Sequence, residues 1–227
     1  VLYAGASAWE ERHVDATRFR ADFPSAFFGV DDVRYGADIA ALAAVQSKMA
    51  DAYDFTSHYL FWVDPFDALA DAHMRALDLR SIRLAAEGVQ QHLLQHAPPL
   101  HRNAAFVMFL AARQYDFTAR KFQAAREIRT MWSEAQSRAG QAHSPTARDL
   151  TWSKYWFWEL RDGYEELAPL YAQAWRYENR ESHLQSNLER YHIAAQRAIE
   201  RADRLYAASL DYYTKKTALP DLETLLK

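Results

Sequence analysis

A chain of 227 residues, half hydrophobic and a quarter charged, is long enough to bury about 70% of its unfolded surface in one domain. Its 27 basic and 30 acidic side chains are interspersed and leave a net charge of −3, which excludes an electrostatic footprint for nucleic acid or an anionic membrane, so neither is expected as a partner. The absence of cysteine excludes disulfides and thiolate metal sites and leaves the compartment open.

No apolar run approaches the roughly 20 residues of a transmembrane helix, and the N-terminus lacks the basic-then-apolar order of a signal peptide. Six Gly and seven Pro against 14% aromatics leave few places to turn and much bulk to pack. The composition therefore predicts an all-α fold, a bundle of long antiparallel helices.

Residues 1–12 read differently from the rest. The run from Val1 to Trp9 has no helical period and carries Gly5 in its middle, so it is predicted as a short extended, strand-like segment. A lone strand needs hydrogen-bonding partners. Because the chain opens at Val1 without Met, those partners are expected in a preceding part of a longer protein. Residues 13–227 form the helical domain.

A short helix runs toward Phe23-Pro24 and ends by Phe27-Phe28-Gly29, and residues 38–54 carry Ile39, Leu42, Met49 and Tyr53 on one stripe with Gln46 between. Asp64-Pro65 then reads as a cap followed by a first-turn proline. The helix it opens, bent near Asp78, shows Ile82, Ala86, Val89 and Leu93 before Pro98-Pro99 stops it. Residues 103–139 contain no Pro or Gly, which predicts a helix roughly 50 Å long, closed by Gly140. Ser144-Pro145 starts another helix, with Phe157, Leu160, Tyr164, Leu167, Tyr171 and Ala174 in register and a kink expected at Pro169. In the final helix Leu184, Leu188, Tyr191, Ala195, Ala198, Ala202, Leu205, Ser209 and Tyr212 step by four and three, the seam of an antiparallel bundle.

Two Glu-x-x-His pairs, Glu10 with His13 and Glu189 with His192, have the spacing of di-iron bundles. The second pair lies beside the seam, which reads as a solvated flank. His92 and His96, with His101 beyond, have a zinc-compatible spacing without a completing carboxylate; near a helix C-terminus they read as polar residues favoured by the dipole. Asp31 and Asp32 are expected to cap the next element, and the acid pair Glu165-Glu166 lacks a catalytic partner. No metal or cofactor is expected. Tyr59, Phe61, Trp62, Phe66, Trp152, Trp156 and Trp158 are expected chiefly in the core, with sugar stacking as the other use of such rings.

The motif Trp175-x-x-Glu178-Asn179-Arg180, followed by Leu184-x-x-Asn187-Leu188-x-Arg190-Tyr191, resembles the long helical region that follows the barrel in bacterial family 20 glycoside hydrolases, the β-N-acetylhexosaminidase-like enzymes. Glu181 stands where that family usually has Pro. Ala112-Arg113-x-Tyr115-Asp116-Phe117, Lys121-Phe122-Gln123 and Phe61-Trp62-x-Asp64-Pro65-Phe66 carry a weaker likeness. Trp9 with Glu11 resembles the end of the family's last barrel strand, although Gly5 is one residue too close to Trp9.

The resemblance implies that Trp9 lines a sugar pocket and that Glu11 accepts from a sugar hydroxyl. It also implies substrate-assisted cleavage of terminal N-acetylhexosamines by an Asp-Glu pair. No Asp-Glu dipeptide occurs in the chain, so no catalytic residue is assigned here; the catalytic barrel, the bundle's expected partner together with a carbohydrate substrate, would precede Val1. The competing expectation is a noncatalytic helical domain for protein interaction or self-association.

Overall fold

The computed structural model describes residues 15–53, 57–137 and 150–227, and every regular element among them is helical. The expected extended segment over residues 1–12 lies outside the described residues, as do Gly140 and Ser144-Pro145.

Helix α1 (Ala16–Phe23) opens on Asp15, whose carboxylate accepts from the Thr17 and Arg18 amides, satisfying donors that the first turn leaves free. It passes into one π-helical turn, Pro24–Phe28, closed by Gly29 at φ 69°, where glycine takes the left-handed conformation without strain. Helix α2 (Arg34–Tyr53) follows. Its buried face is Tyr35, Asp38, Val45 and Met49, while Ile39 and Gln46 are exposed. Of the predicted stripe Met49 is buried and Leu42 half-buried, whereas Ile39 gives way to Asp38, a polar residue that occupies a core position where His92 meets it.

Helix α3 (Ser57–Trp62) is short. The helix expected to start at Asp64 begins instead at α4 (Ala68–Met74), capped by Asp67 through the Ala70 amide; Asp64 accepts from the Phe66 amide at 3.0 Å within the turn. The bend expected near Asp78 is a full break, with Asp78 capping α5 (Leu79–Gln95) through the Ser81 amide. Helix α6 (Arg102–Ser137) has 36 residues, about 54 Å. Helix α7 (Lys154–Glu178) continues through Pro169, α8 (Leu184–Lys215) has 32 residues, and α9 (Leu222–Leu226) is capped by Asp221. The five residues of α9 are too few to show a period.

Neighbouring long helices are antiparallel, as predicted. Asp38 of α2 meets His92 of α5, while Tyr35, earlier on α2, reaches the later carbonyl of His96. Arg113 and Arg120 of α6 pair with Glu166 and Glu159 of α7. Tyr171 and Lys154 of α7 lie against Tyr191 and Tyr206 of α8.

Helix α6 is the shared wall. Its Phe117, Ile128 and Trp132 enter a core with Phe157, Leu160, Tyr164, Leu167 and the α8 seam. Its Ala119 and Phe122 join α2 to α5 around Met49, Met74 and Ile82, and its Ala105 and Ala112 join Phe28, Tyr35 and Val89.

Gly163 lets α6 and α7 approach closely, for a Cβ there would lie within 2.5 Å of Phe117 Cδ2. An interior Gly→Ala change ordinarily stabilises a helix by up to about 1 kcal/mol. Here G163A is expected to destabilise by about 1–3 kcal/mol through overpacking, measurable by urea denaturation. A gain in stability would show that the Phe117 ring yields.

Candidate functional site

Four helices converge on a cleft of 240 Å³ lined by Phe61, Trp62, Ala111, Gln114, Tyr115, Thr118, Tyr171, Asn187, Arg190 and Tyr191. Each wall is held by identifiable interactions. Helix α3 delivers Trp62 because Lys121 Nζ, fully buried, donates to the Leu60, Phe61 and Val63 carbonyls at 2.9, 2.8 and 2.7 Å. These are the carbonyls that the end of α3 leaves free, and a cation there is favoured by the helix dipole. Burial pushes the Lys121 ammonium down to about 7, against the pull of Asp64.

The next turn is pinned from α8. Arg201 Nη1 donates to Asp64 Oδ1 at 2.9 Å and Nη2 to Asp64 Oδ2, a bidentate pair. Burial raises the Asp64 carboxyl, but Arg201's hydrogen bonds and charge outweigh it and leave Asp64 below the usual carboxylate range. Thus the Phe61-Trp62-x-Asp64-Pro65-Phe66 run owes its fixed shape to Lys121 on α6 and Arg201 on α8.

The opposite wall depends on the turn between α7 and α8. Trp175 Nε1 donates to the Arg180 carbonyl at 2.6 Å, and the Asn179 amide closes α7 on the Trp175 carbonyl at 2.9 Å. Arg176 pairs with Glu181 at 2.6 Å. This turn starts α8 in the register that turns Asn187, Arg190 and Tyr191 toward α3 and α6. Tyr191, buried, packs edge-on against Trp62 at 4.8 Å and accepts from Gln114 Nε2 at 3.2 Å.

The Arg190 guanidinium lies over the Trp62 ring, 4.2 Å from its centroid, a cation–π stack. Among the described residues Arg190 has no carboxylate partner, and the cleft lining contains no acid. Burial raises the Tyr171 and Tyr191 hydroxyls, and the Arg190 charge partly offsets this. The cleft is thus aromatic, amide-lined and singly cationic. Such an arrangement can bind a small polar ring and has no general acid of its own.

A second groove of 220 Å³, between α6 and α7, is lined by Arg113, Asp116, Phe117, Arg120, Glu159, Asp162, Gly163, Glu166 and Leu167. Four of its charges pair across the two helices, Arg113 with Glu166 at 2.6 Å and Arg120 with Glu159 at 3.7 Å, while Asp116 pairs with Arg83 and Asp162 with Arg161, so it reads as a groove of ion pairs.

Elsewhere, His92 is fully buried between Asp38, on Nδ1, and Asp32, 3.1 Å from Nε2. Burial raises the Asp38 carboxyl despite the His92 hydrogen bond, whereas the Arg34 amide lowers Asp32. Asp32 caps the start of α2 as expected, accepting from that amide at 2.9 Å. His92 itself corrects the expectation of a polar residue at a helix end: it is a core residue, while His96 is exposed.

Trp9 and Glu11, the expected substrate-binding residues, lie outside the described residues, as do Glu10 and His13. Glu189 and His192 are both exposed on α8, and no group of three potential metal ligands occurs among the described residues. Phe61 and Phe66 are in the core as expected, Trp62, Trp156 and Trp158 are half-buried, and Trp152 is 57% exposed. Residue-by-residue reading did not single out Gln114, Tyr115, Asn187 or Arg190 as site residues. The signal that pointed toward them was the family-like motif around Tyr115 and around 184–191. Comparison with protein-family models, with curated proteins and with solved structures found no match.

Proposed function

We propose that this chain is the noncatalytic, helical C-terminal part of a glycoside hydrolase of the family 20 type, acting on terminal N-acetylhexosamine sugars. In this reading the bundle packs against an upstream catalytic barrel and helps to shape its sugar pocket. The observation that supports it is a convergence. Phe61, Trp62, Tyr115, Asn187, Arg190 and Tyr191, drawn from three separate family-like motifs, line one aromatic and amide-bearing cleft, and Trp175, Asp64 and Lys121 from the same motifs hold its walls.

The acid chemistry belongs to the barrel, where an Asp-Glu pair would orient the substrate's acetamido oxygen and protonate the leaving group. Trp9 would stack on the sugar and Glu11 would accept from a hydroxyl. In the full-length protein W9A is expected to lower kcat/KM roughly tenfold by loss of stacking; an unchanged kcat/KM would remove Trp9 from the pocket. The reading frame preceding Val1 tests the whole proposal. It should encode about eight alternating strand and helix segments with an Asp-Glu pair at a strand end, and a start codon immediately before Val1 would overturn it.

A second reading, a helical interaction domain without an enzymatic parent, draws on a different observation. Trp152, Tyr155 and Trp158 form a chain of ring contacts at 5.1 and 5.0 Å, and Lys154 joins them to Tyr206. Trp152 and Tyr155 are exposed, and exposed aromatics grouped in this way often mark contact surfaces. Self-association in sedimentation that W152A abolishes, in a full-length protein without glycosidase activity, would favour it.

A further inference from the structure

We propose that the cleft between α3, α6, α7 and α8 binds a single pyranose ring bearing a carboxylate, a uronic acid residue. This goes a step beyond the glycosidase reading and rests on it for the choice of a sugar over other carboxylates. Four features of the cleft lead there.

Its 240 Å³ is below the ~300 Å³ at which pockets for drug-sized ligands begin, so it suits one six-membered ring. The half-exposed rings of Trp62, Tyr115 and Tyr171 offer apolar surface for the C–H face of a sugar. Around them stand groups that donate and accept in the manner hydroxyls require: the Asn187 amide, the Gln114 carbonyl oxygen left over once its nitrogen donates to Tyr191, and the Tyr115 and Tyr171 hydroxyls.

Charge decides between a neutral and an acidic sugar. Arg190 is the sole charged residue in the lining and has no ion-pair partner among the described residues. Of the arginines near it, Arg113 pairs with Glu166, Arg176 with Glu181 and Arg201 with Asp64, while Arg197, also beside Trp62, lines a different pocket. The guanidinium is held over Trp62, its N–H groups are without a carboxylate among the described residues, and that fork matches a carboxylate. A glycan alternating N-acetylhexosamine and uronate would present such a residue beside the sugar that the proposed barrel removes.

The test is calorimetric titration of the 227-residue chain with methyl β-glucuronide, methyl β-glucoside and acetate. The proposal expects millimolar binding of the glucuronide, with the glucoside and acetate each about tenfold weaker or more. R190Q should bring glucuronide and glucoside to the same affinity. N187A should weaken both sugars, and both variants should keep the wild-type circular dichroism. Equal binding of the two sugars, equal binding of acetate, or no binding of the glucuronide would overturn it. Hydrolysis of an aryl N-acetylglucosaminide by the full-length protein is read separately, so failure of the uronate site and failure of the glycosidase reading are distinguished.

Discussion

Replacing His92 by alanine is expected to destabilise the domain by about 3–5 kcal/mol at pH 7, the cost of leaving a buried charge without its partner. For a domain of this size that corresponds to a fall in Tm on the order of 10 °C. The imidazole is fully buried and bridges Asp38 on α2 and Asp32 before it, with Tyr35 packed edge-on at 4.9 Å. Without it, Asp38 keeps a buried carboxyl whose strongest influence is desolvation.

The double variant H92A/D38N, which removes that carboxylate, should recover about 1–2 kcal/mol. The sign of the pH dependence follows from Asp38. A raised folded pKa means the folded state holds its proton more tightly, so stability falls as pH rises through the ordinary range and up to the folded value. The recovery given by D38N should therefore be present at neutral pH and shrink toward pH 4. Urea denaturation of both variants at the two pH values measures it. An H92A loss below about 1 kcal/mol would mean that Asp38 finds another donor or water.

The second large effect is expected at Lys121. K121M keeps the aliphatic volume but strips the donor from three carbonyls at the end of α3, which should cost about 2–4 kcal/mol. Burial holds the folded ammonium at about 7, whereas an unfolded lysine titrates near 10.4. Between those values the unfolded chain carries the extra proton, so stability rises with pH. The wild-type advantage over K121M should thus grow between pH 7 and about 9.5. A difference that stays flat across this window would contradict the assigned burial. Because Lys121 fixes α3, K121M should also broaden the NMR signals of Trp62.

Much of this architecture was legible in the sequence because it depends on long, regular apolar spacing. The α8 seam from Leu184 to Ser209, apart from half-buried Leu188, and the α5 stripe Ile82, Ala86, Val89 and Leu93 are buried as read. The errors fall where polar residues go inside. Asp38 and His92 satisfy each other, so neither follows the hydrophobic period, and on α2 the buried positions are Asp38 and Val45 where Ile39 and Gln46 were expected, while Met49 is buried as read. Asp64 resembled a cap, yet its carboxylate is taken by Arg201, a long-range partner that no local rule reveals. The cleft was not legible in the sequence, since Gln114 and Tyr115 of α6 and Asn187 and Arg190 of α8 carry no local mark of a site and meet only in the packed bundle.

The most direct measurement is hydrolysis of an aryl N-acetyl-β-glucosaminide by the full-length protein that contains this chain. Release of the aryl group is expected, lost when the upstream Asp-Glu pair is replaced by Asn-Gln. A folded full-length protein that carries no upstream barrel, or that leaves the substrate intact, would contradict it.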